Sequence, residues 1–599
     1  MRPALPLVLA VVLIVAPGGL LAQASVGGPD SGMTVQAKDE PGRSVRSRGD
    51  HTLARSPDEP GRIESGRGAG SSPGEGGRAD SDCATQPRAQ RDEGPGGGPA
   101  AGAPSKVDAR ADRARCRKLT DADIATAPIV EVASVTRHQG VIGGRSMAYT
   151  ATAGTLTLRD DEGKPTASMF YVAYTAGDPR RPVTFLYNGG PGSSTVWLHM
   201  GSIGPVRVAT DSPSATHNAP FDLVNNADSL LDKSDLVFLD AIGAGFSRPL
   251  GDTRLAAFWG TDPDIDAFAR GIERYLTIHH RWNSPKFIFG ESYGTTRSAG
   301  LSYRLQSDGV QLNGVILLSS ILNYGRRDPG FDQELINYLP SYAAAAAYHN
   351  RLASPPADLP AFLGEVRDWA RGPYAVALAK GQDLGEAERR EVAHRLAAYT
   401  GLSPAYVLSS DLRVTPGRFR KELLRDQGLT LGRYDDRFTG MDVDEAGESP
   451  EFDPSDTGIT GAFVAAFHDY LARGLDFRTE LSYRPTYYSA GLQWDFRHKP
   501  PGRRGDGDTN EADVALDLSA AMRENPHLLL YSLNGVYDLA TPFFGTEYDL
   551  GHMQLSPQVR GNVRFAYYPS GHMVYLNPQA LKSMKADLAR FYDEAAPPR

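Results

Sequence analysis

Hydrophobic and polar positions alternate between Gly154 and Tyr174. Gly154-Thr155-Leu156-Thr157-Leu158 and Ser168-Met169-Phe170-Tyr171-Val172-Ala173-Tyr174 carry the period of two and the aromatic enrichment of strands in a hairpin. Further along, the pattern changes to short, nearly continuous apolar runs: Val183 to Tyr187, Leu236 to Leu239, Phe287 to Phe289, Val315 to Leu318, Leu528 to Leu533 and Val563 to Tyr567. Runs of this kind suit strands buried on both faces. Helical spacing returns between several of them. After Asp262-Pro263, the residues Ile265, Phe268, Ala269, Ile272, Tyr275 and Leu276 share one face. A last helix is expected from Asn577-Pro578, an N-cap followed by proline at the first helical position. Strands alternating with helices predict an α/β fold whose mainly parallel sheet is covered on both faces.

The rhythm breaks between residues 325 and 475, where helical spacing dominates around Tyr342 to Arg351, Ala387 to Tyr399 and Gly461 to Arg473. This region reads as a helix-rich cap inserted between a first part of the core, residues 118–324, and a second, residues 476–599. Such a cap shapes access to a site on the sheet. The pattern also fails at the other end. From Ser25 to Arg117 the chain is Gly, Pro, Ser, Arg, Asp and Glu with almost no aromatic or β-branched residues, too few apolar groups to repay the entropy of ordering. It is expected to be a disordered tether, with the fold starting near Leu119. Ahead of it, Arg2, the apolar run Leu5 to Ala16, the breakers Pro17-Gly18-Gly19 and the sequence Ala22-Gln23-Ala24 predict a signal peptide over residues 1–24.

Composition narrows the classes. The 599 residues carry a net charge of -9, which leaves no general electrostatic footprint for nucleic acid, and 40% apolar composition is ample for a large core. Cleavage of the signal leaves no stable membrane insertion and places the product in the periplasm or outside the cell. The two cysteines, Cys83 and Cys116, both fall in or next to the tether, so an oxidising compartment would let them pair and neither serves as a nucleophile in the core.

The candidate chemistry starts at Gly290-Glu291-Ser292-Tyr293-Gly294, where an apolar strand runs into a tight turn and then a helical stretch. Small residues two before and two after the serine suit a nucleophile elbow. The same pattern at Gly70-Ser71-Ser72-Pro73-Gly74 has no strand before it and is an accident of low complexity. A serine hydroxyl needs a base and a third group to orient that base, in the chain order Ser, acid, His on this type of sheet. The strand candidate Leu528 to Leu533 leads to Asp538, and the next one, Val563 to Tyr567, leads to His572, so all three residues converge beyond the carboxyl ends of strands. His552 sits in a similar Gly-His-Met sequence but in the link between those strands. Asp538 also suits a helix N-cap before Thr541-Pro542. The run Asn188-Gly189-Gly190-Pro191-Gly192-Ser193-Ser194 follows another strand, and its glycines permit close approach of backbone donors to a substrate. The amides of Gly190 and Tyr293 are the expected oxyanion donors. A phosphate-binding loop fits poorly, since no lysine follows in the required place.

Together Asn188 to Ser194, Asp240 to Ser247, Gly290 to Gly294, Asp538 and Gly571-His572-Met573 resemble the serine carboxypeptidase family over about Ile142 to Pro578, excluding much of the cap. Ser193 and the cysteine-free core are nearer to its bacterial members. The resemblance implies an α/β-hydrolase fold with an inserted helical cap. It also implies that Asn188, Gly189 and Glu291 bind the C-terminal carboxylate of a peptide. Two further family positions depart: Leu186 stands in place of a tryptophan, and Ser202 in place of a second glutamate. The expected activity is a serine-type carboxypeptidase acting on peptides through an acyl-enzyme at Ser292, with no metal or organic cofactor. The departures keep open an esterase or acyltransferase using the same triad, and a noncatalytic secreted binding protein is the reading from outside the enzymes.

Overall fold

The computed structural model of the chain describes residues 130–327, 330–487, 493–502 and 511–597. The expected signal peptide, the tether, Cys83, Cys116 and the expected onset of the fold at Leu119 lie outside these residues.

The core is one sheet built on nine strands: β1 Ala133–Ile142, β2 Arg145–Arg159, β3 Pro165–Thr175, β4 Val183–Tyr187, β5 Asp235–Leu239, β6 Lys286–Glu291, β7 Gly314–Leu318, β8 Leu529–Gly535 and β9 Val563–Tyr568. Their order across the sheet is β1-β2-β3-β5-β4-β6-β7-β8-β9, with a two-residue strand Arg248–Pro249 beside β3. β1 to β3 and the β3–β5 pair are antiparallel; from β5 to β9 every pair is parallel. This mainly parallel sheet with flanking helices is the α/β-hydrolase architecture.

The continuous apolar runs hide a period of two. On β4, Leu186 packs into the core on one face of the sheet while Phe185 and Tyr187 pack into the other, and β7 divides in the same way between Ile316 and Leu318 on one side and Val315 and Leu317 on the other. Both faces are dry, and each such Leu, Ile or Phe contributes roughly 1.5–3 kcal/mol on burial. The expectation fails at β9. Phe565 and Tyr567 are exposed, because this strand is the edge of the sheet rather than a fully covered one. β1 escapes the sequence pattern for a related reason: it is the opposite edge, and Thr136, Arg137, His138 and Gln139 interrupt its apolar positions.

The crossovers that position the site are helices α1 Val196–Gly201, α2 Thr261–Ile278 and α3 Tyr293–Ser307. Four larger helices follow between β7 and β8: α4 Gln333–Tyr348, α5 Leu359–Trp369, α6 Glu386–Thr400 and α7 Pro454–Asp469. The helix expected to run to Arg351 ends earlier, with Asn350 at positive φ, and α5 has no counterpart among the expected elements; its N-cap Asp358 accepts from the amide of Ala361. The core resumes with α8 Ala515–Glu524, α9 Phe543–Gly551 after β8, and α10 Pro578–Ala595. Asn577 caps α10 through the amide of Ala580, as its Asn-Pro sequence predicts. Helices α4, α5 and α6 share a separate apolar cluster with Tyr537, Leu539, Phe543 and Phe544 of the loop and helix after β8, whereas α7 packs through Ile459, Phe463 and Phe467 into the core on one face of the sheet. Among the described residues, no helix is long and apolar enough to cross a membrane.

Candidate active site

β6 ends at Glu291 and α3 begins at Tyr293, leaving Ser292 alone in the turn at φ 61° and ψ −129°. That backbone conformation is costly for a residue with a Cβ and persists only where its surroundings enforce it. Here they do. A Cβ on Gly290 would overlap the Gly294 carbonyl, and one on Gly294 would come within 2.8 Å of the Tyr187 carbonyl oxygen. The two small residues therefore let strand and helix close on each other and push the serine outward. From residue 286 to residue 302 every position is buried except Ser292.

Asp538 and His572 meet. His572 Nδ1 lies 2.7 Å from Asp538 Oδ2, and both side chains are buried. The other carboxylate oxygen, Oδ1, accepts from the amides of Ala540 at 2.7 Å and Thr541 at 3.0 Å. Asp538 is not the N-cap of the helix that follows, a position held by Pro542; one oxygen instead holds the turn ahead of α9 while the other pairs with histidine. Burial pushes His572 down, yet the charge and hydrogen bond of Asp538, helped by Glu291, outweigh it and hold the imidazole above its ordinary pKa, against the opposing charge of Arg433. His552 lies at the end of α9, with Nδ1 2.6 Å from the Tyr548 carbonyl, and takes no part.

The end of β7 joins the serine to this pair. The Ser292 amide donates to the Leu318 carbonyl at 3.0 Å, and the hydroxyl of the next residue, Ser319, donates to the His572 carbonyl at 2.6 Å. Thr541 Oγ1 lies 2.8 Å from Asp538 Oδ2, 2.9 Å from the Ser319 carbonyl and 3.1 Å from His572 Nδ1. The carboxyl ends of β6, β7 and β8, with the loop after β9, therefore bring the expected residues to one edge of the sheet. The Ser292 hydroxyl itself makes no hydrogen bond among the described residues.

The glycine loop after β4 stands against the elbow. A Cβ on Gly189 would overlap the Tyr293 amide nitrogen. Tyr293 is the first residue of α3, so its amide is one that the helix leaves without an internal partner. Gly190 follows at φ 109° and is exposed. The Asn188 side chain pins the loop from both ends: its Oδ1 accepts from the Leu198 amide at 2.9 Å, and its Nδ2 donates to Glu291 Oε2 at 2.9 Å.

Of the expected carboxylate-binding set, Asn188 and Glu291 are in contact, and Glu291 is only 1% exposed. Burial raises its carboxyl to about 7, against the charge of His572 and the hydrogen bonds from Tyr575 and Asn188. The two departing positions are interior. Leu186 belongs to the core, and the Ser202 hydroxyl donates to the Leu198 carbonyl at the end of α1.

Several supporting residues carried no sequence signal. Tyr575 donates to Glu291 Oε2 at 3.0 Å, yet it sits in the run Met573 to Leu576, which reads as core. Arg297 on α3 reads as a solvated helix residue, yet it is fully buried, pairs with Asp264 at 2.7 Å, and donates to the Asn188 carbonyl at 2.8 Å. It braces the glycine loop from behind, where a charge without both partners would be costly.

Residues 146–323 match the family model described as serine carboxypeptidase. This stretch holds the glycine loop and Ser292; Asp538 and His572 lie beyond it. No curated protein sequence matches the chain. Among solved structures, a prohormone-processing carboxypeptidase of Saccharomyces cerevisiae is similar at 15% identity, with 74% of this chain and 91% of that one covered and a TM-score of 0.45. A proline iminopeptidase of Mycobacterium smegmatis is similar at 14% identity, over 74% and 98% of the two chains, with a TM-score of 0.31. A soluble variant of monoglyceride lipase from Saccharomyces cerevisiae is similar at 10% identity, over 74% and 95%, also at 0.31.

Proposed function

From the match of residues 146–323 to the serine carboxypeptidase model, we propose that the chain removes residues from the C-termini of peptides through an acyl-enzyme on Ser292. The observation that carries the proposal is the strained Ser292 turn beside the Asp538–His572 pair. In the proposed reaction Ser292 Oγ attacks the last peptide carbonyl while His572 Nε2 takes its proton. Asp538 keeps the other ring nitrogen protonated and stabilises the imidazolium. The amides of Gly190 and Tyr293 hold the oxyanion, which rewards the transition state more than the substrate. His572 returns the proton to the departing amine, and water then attacks the acyl-enzyme under the same base. The Ser292–His572 hydrogen bond forms as substrate displaces solvent from the serine. Export is part of the proposal and rests on the apolar run after Arg2 and on Ala22-Gln23-Ala24.

The test is to incubate the protein with C-terminally free and C-terminally amidated forms of one peptide and read products by mass. Stepwise loss of C-terminal residues from the free peptide alone is the expected result; equal cleavage of both forms removes the exopeptidase reading. In that case the buried Leu186 and the committed hydroxyl of Ser202 favour the second reading, an esterase or acyltransferase with the same nucleophile.

Glu291 makes the pH dependence specific. With its carboxyl at about 7 it is protonated below neutrality and can share its proton with a substrate carboxylate; above neutrality two negative charges face each other. The KM for free peptides is expected to climb about tenfold per pH unit above roughly pH 7 while the KM for esters stays level, and Glu291→Gln is expected to flatten the climb. A KM for free peptides that is constant between about pH 5 and pH 9 overturns this role.

A further inference from the structure

The helix-rich region between β7 and β8 reaches the loops of the site directly. Between α6 and α7 it sends in the segment Arg433-Tyr434-Asp435-Asp436-Arg437, and this segment is bonded to both loops that carry the base and its acid. The Leu539 amide donates to the Arg433 carbonyl at 3.0 Å, the His572 amide to the Tyr434 carbonyl at 2.6 Å, and the Asp436 amide to the Tyr537 carbonyl at 3.0 Å. One strap thus engages the residues on either side of Asp538 and the backbone of His572 itself. Its side chains add to this. The Tyr434 ring lies 5.0 Å from the His572 imidazole at 30°, and Arg437 donates to the Pro569 carbonyl at 2.9 Å with its guanidinium 4.8 Å from the Tyr537 ring.

The strap is itself rigidly held. Arg437 is gripped by both oxygens of Asp435, at 2.8 and 2.6 Å, with both residues buried. The Ser455 hydroxyl at the start of α7 accepts from the amides of Tyr434 and Asp435 at 3.0 and 3.2 Å. The loop it presses on is shaped to receive it: a Cβ on Gly571 would overlap the Tyr434 carbonyl and fall 2.5 Å from the Cβ of Asp435. The glycine before the base is therefore required by the cap, as a place where two backbones touch.

We propose that Tyr434 is a positioning residue for His572: its carbonyl anchors the backbone of the base, its ring covers one side of the imidazole, and the Asp435–Arg437 pair fixes it there. The inference rests on the triad read above. It makes the cap a working part of the catalytic centre, because a displacement of the base by about 1 Å is enough to cost about 100-fold in rate.

The experiment compares Tyr434→Phe, Tyr434→Ala and Arg437→Met on a small ester, which needs no carboxylate site, with rates of phosphonylation at Ser292 and thermal unfolding measured alongside. Tyr434→Phe keeps the ring and is expected to stay within about threefold of the parent, whereas Tyr434→Ala lowers kcat and the labelling rate by about 10- to 100-fold with KM little changed. Arg437→Met, which leaves the ring but loosens the strap, is expected to fall between them. A readout that a purely structural role leaves still is the acid limb of kcat/KM. Asp538, Glu291 and Arg433 are the charged groups acting on His572, and none is altered by Tyr434→Ala. Removing the ring admits water and relieves the burial that holds the imidazole down, so the limb moves to higher pH. The proposal is overturned if Tyr434→Ala matches the parent in kcat and limb position, or if Tyr434→Phe loses as much as Tyr434→Ala. Failure of the carboxypeptidase reading shows separately, as indifference of the parent enzyme to C-terminal amidation.

Discussion

Ser292→Ala is expected to lower kcat on any accepted substrate by about 10⁶-fold while leaving the melting temperature unchanged or slightly raised. The size of the loss follows from geometry. Ser292 is the single outward position in a buried stretch of seventeen residues, 286 to 302, so no neighbouring hydroxyl can replace it. The oxyanion amides and the substrate contacts survive the change and leave a residue of activity above the rate in water. The sign of the stability change follows from the backbone. Ser292 occupies φ 61° and ψ −129° for the sake of its oxygen, and alanine keeps that strain without adding any. Measuring the burst of an activated ester together with active-site labelling checks the point. A variant that is still labelled by a phosphonate, or that retains more than about one per cent of kcat, removes Ser292 as the nucleophile.

Asp538→Asn is expected to lower kcat by about 10⁴-fold, at almost unchanged fold and KM. The carboxylate has two distinct tasks. Oδ1 takes the amides of Ala540 and Thr541, and an asparagine oxygen continues to accept them. Oδ2 faces His572 Nδ1 at 2.7 Å, where the asparagine amide presents a hydrogen instead of a lone pair. The imidazole must then turn Nδ1 into an acceptor and carry its proton on Nε2, the nitrogen that has to receive the proton of Ser292. Because the pair is buried, water does not restore the charge that is lost. The base also loses the largest influence holding its pKa up, so the acid limb of kcat/KM shifts to lower pH even as the plateau falls. Loss of less than about tenfold, with the limb unmoved, would show that another carboxyl orients the base; Asp436, buried nearby, is the one to replace next.

The elbow illustrates how much was legible beforehand. Strand, tight turn and helix around Ser292 follow from local rules, since an apolar run, two glycines at fixed offsets and a helical stretch leave few other arrangements. The order of acid and base was also readable, because each follows a strand that must end at the same edge of a parallel sheet. His552 could be set aside on the same ground, as a residue in the link rather than beyond a strand. What failed, failed where neighbours distant in sequence decide. β9 has the composition of a covered strand and is an edge, because among the described residues only β8 pairs with it. Arg297 and Tyr575 carry no signal within their own segments, and each supports the glycine loop or Glu291 across the fold.

By itself, then, the amino-acid sequence determined the alternation of strands and helices, the parallel core, the strand-turn-helix around Ser292 and the placing of Asp538 and His572 beyond the ends of two strands. These depend on hydrophobic period, turn chemistry and adjacency, all of which act within a few residues. Only the tertiary structure decided which side chains surround those groups. Glu291 is raised to about 7 by burial that no neighbouring residue in the chain reveals, and His572 is anchored by Tyr434, 138 positions earlier. Burial and contact across such separations arise from packing the whole chain at once, so the environment that tunes a residue is not written beside it.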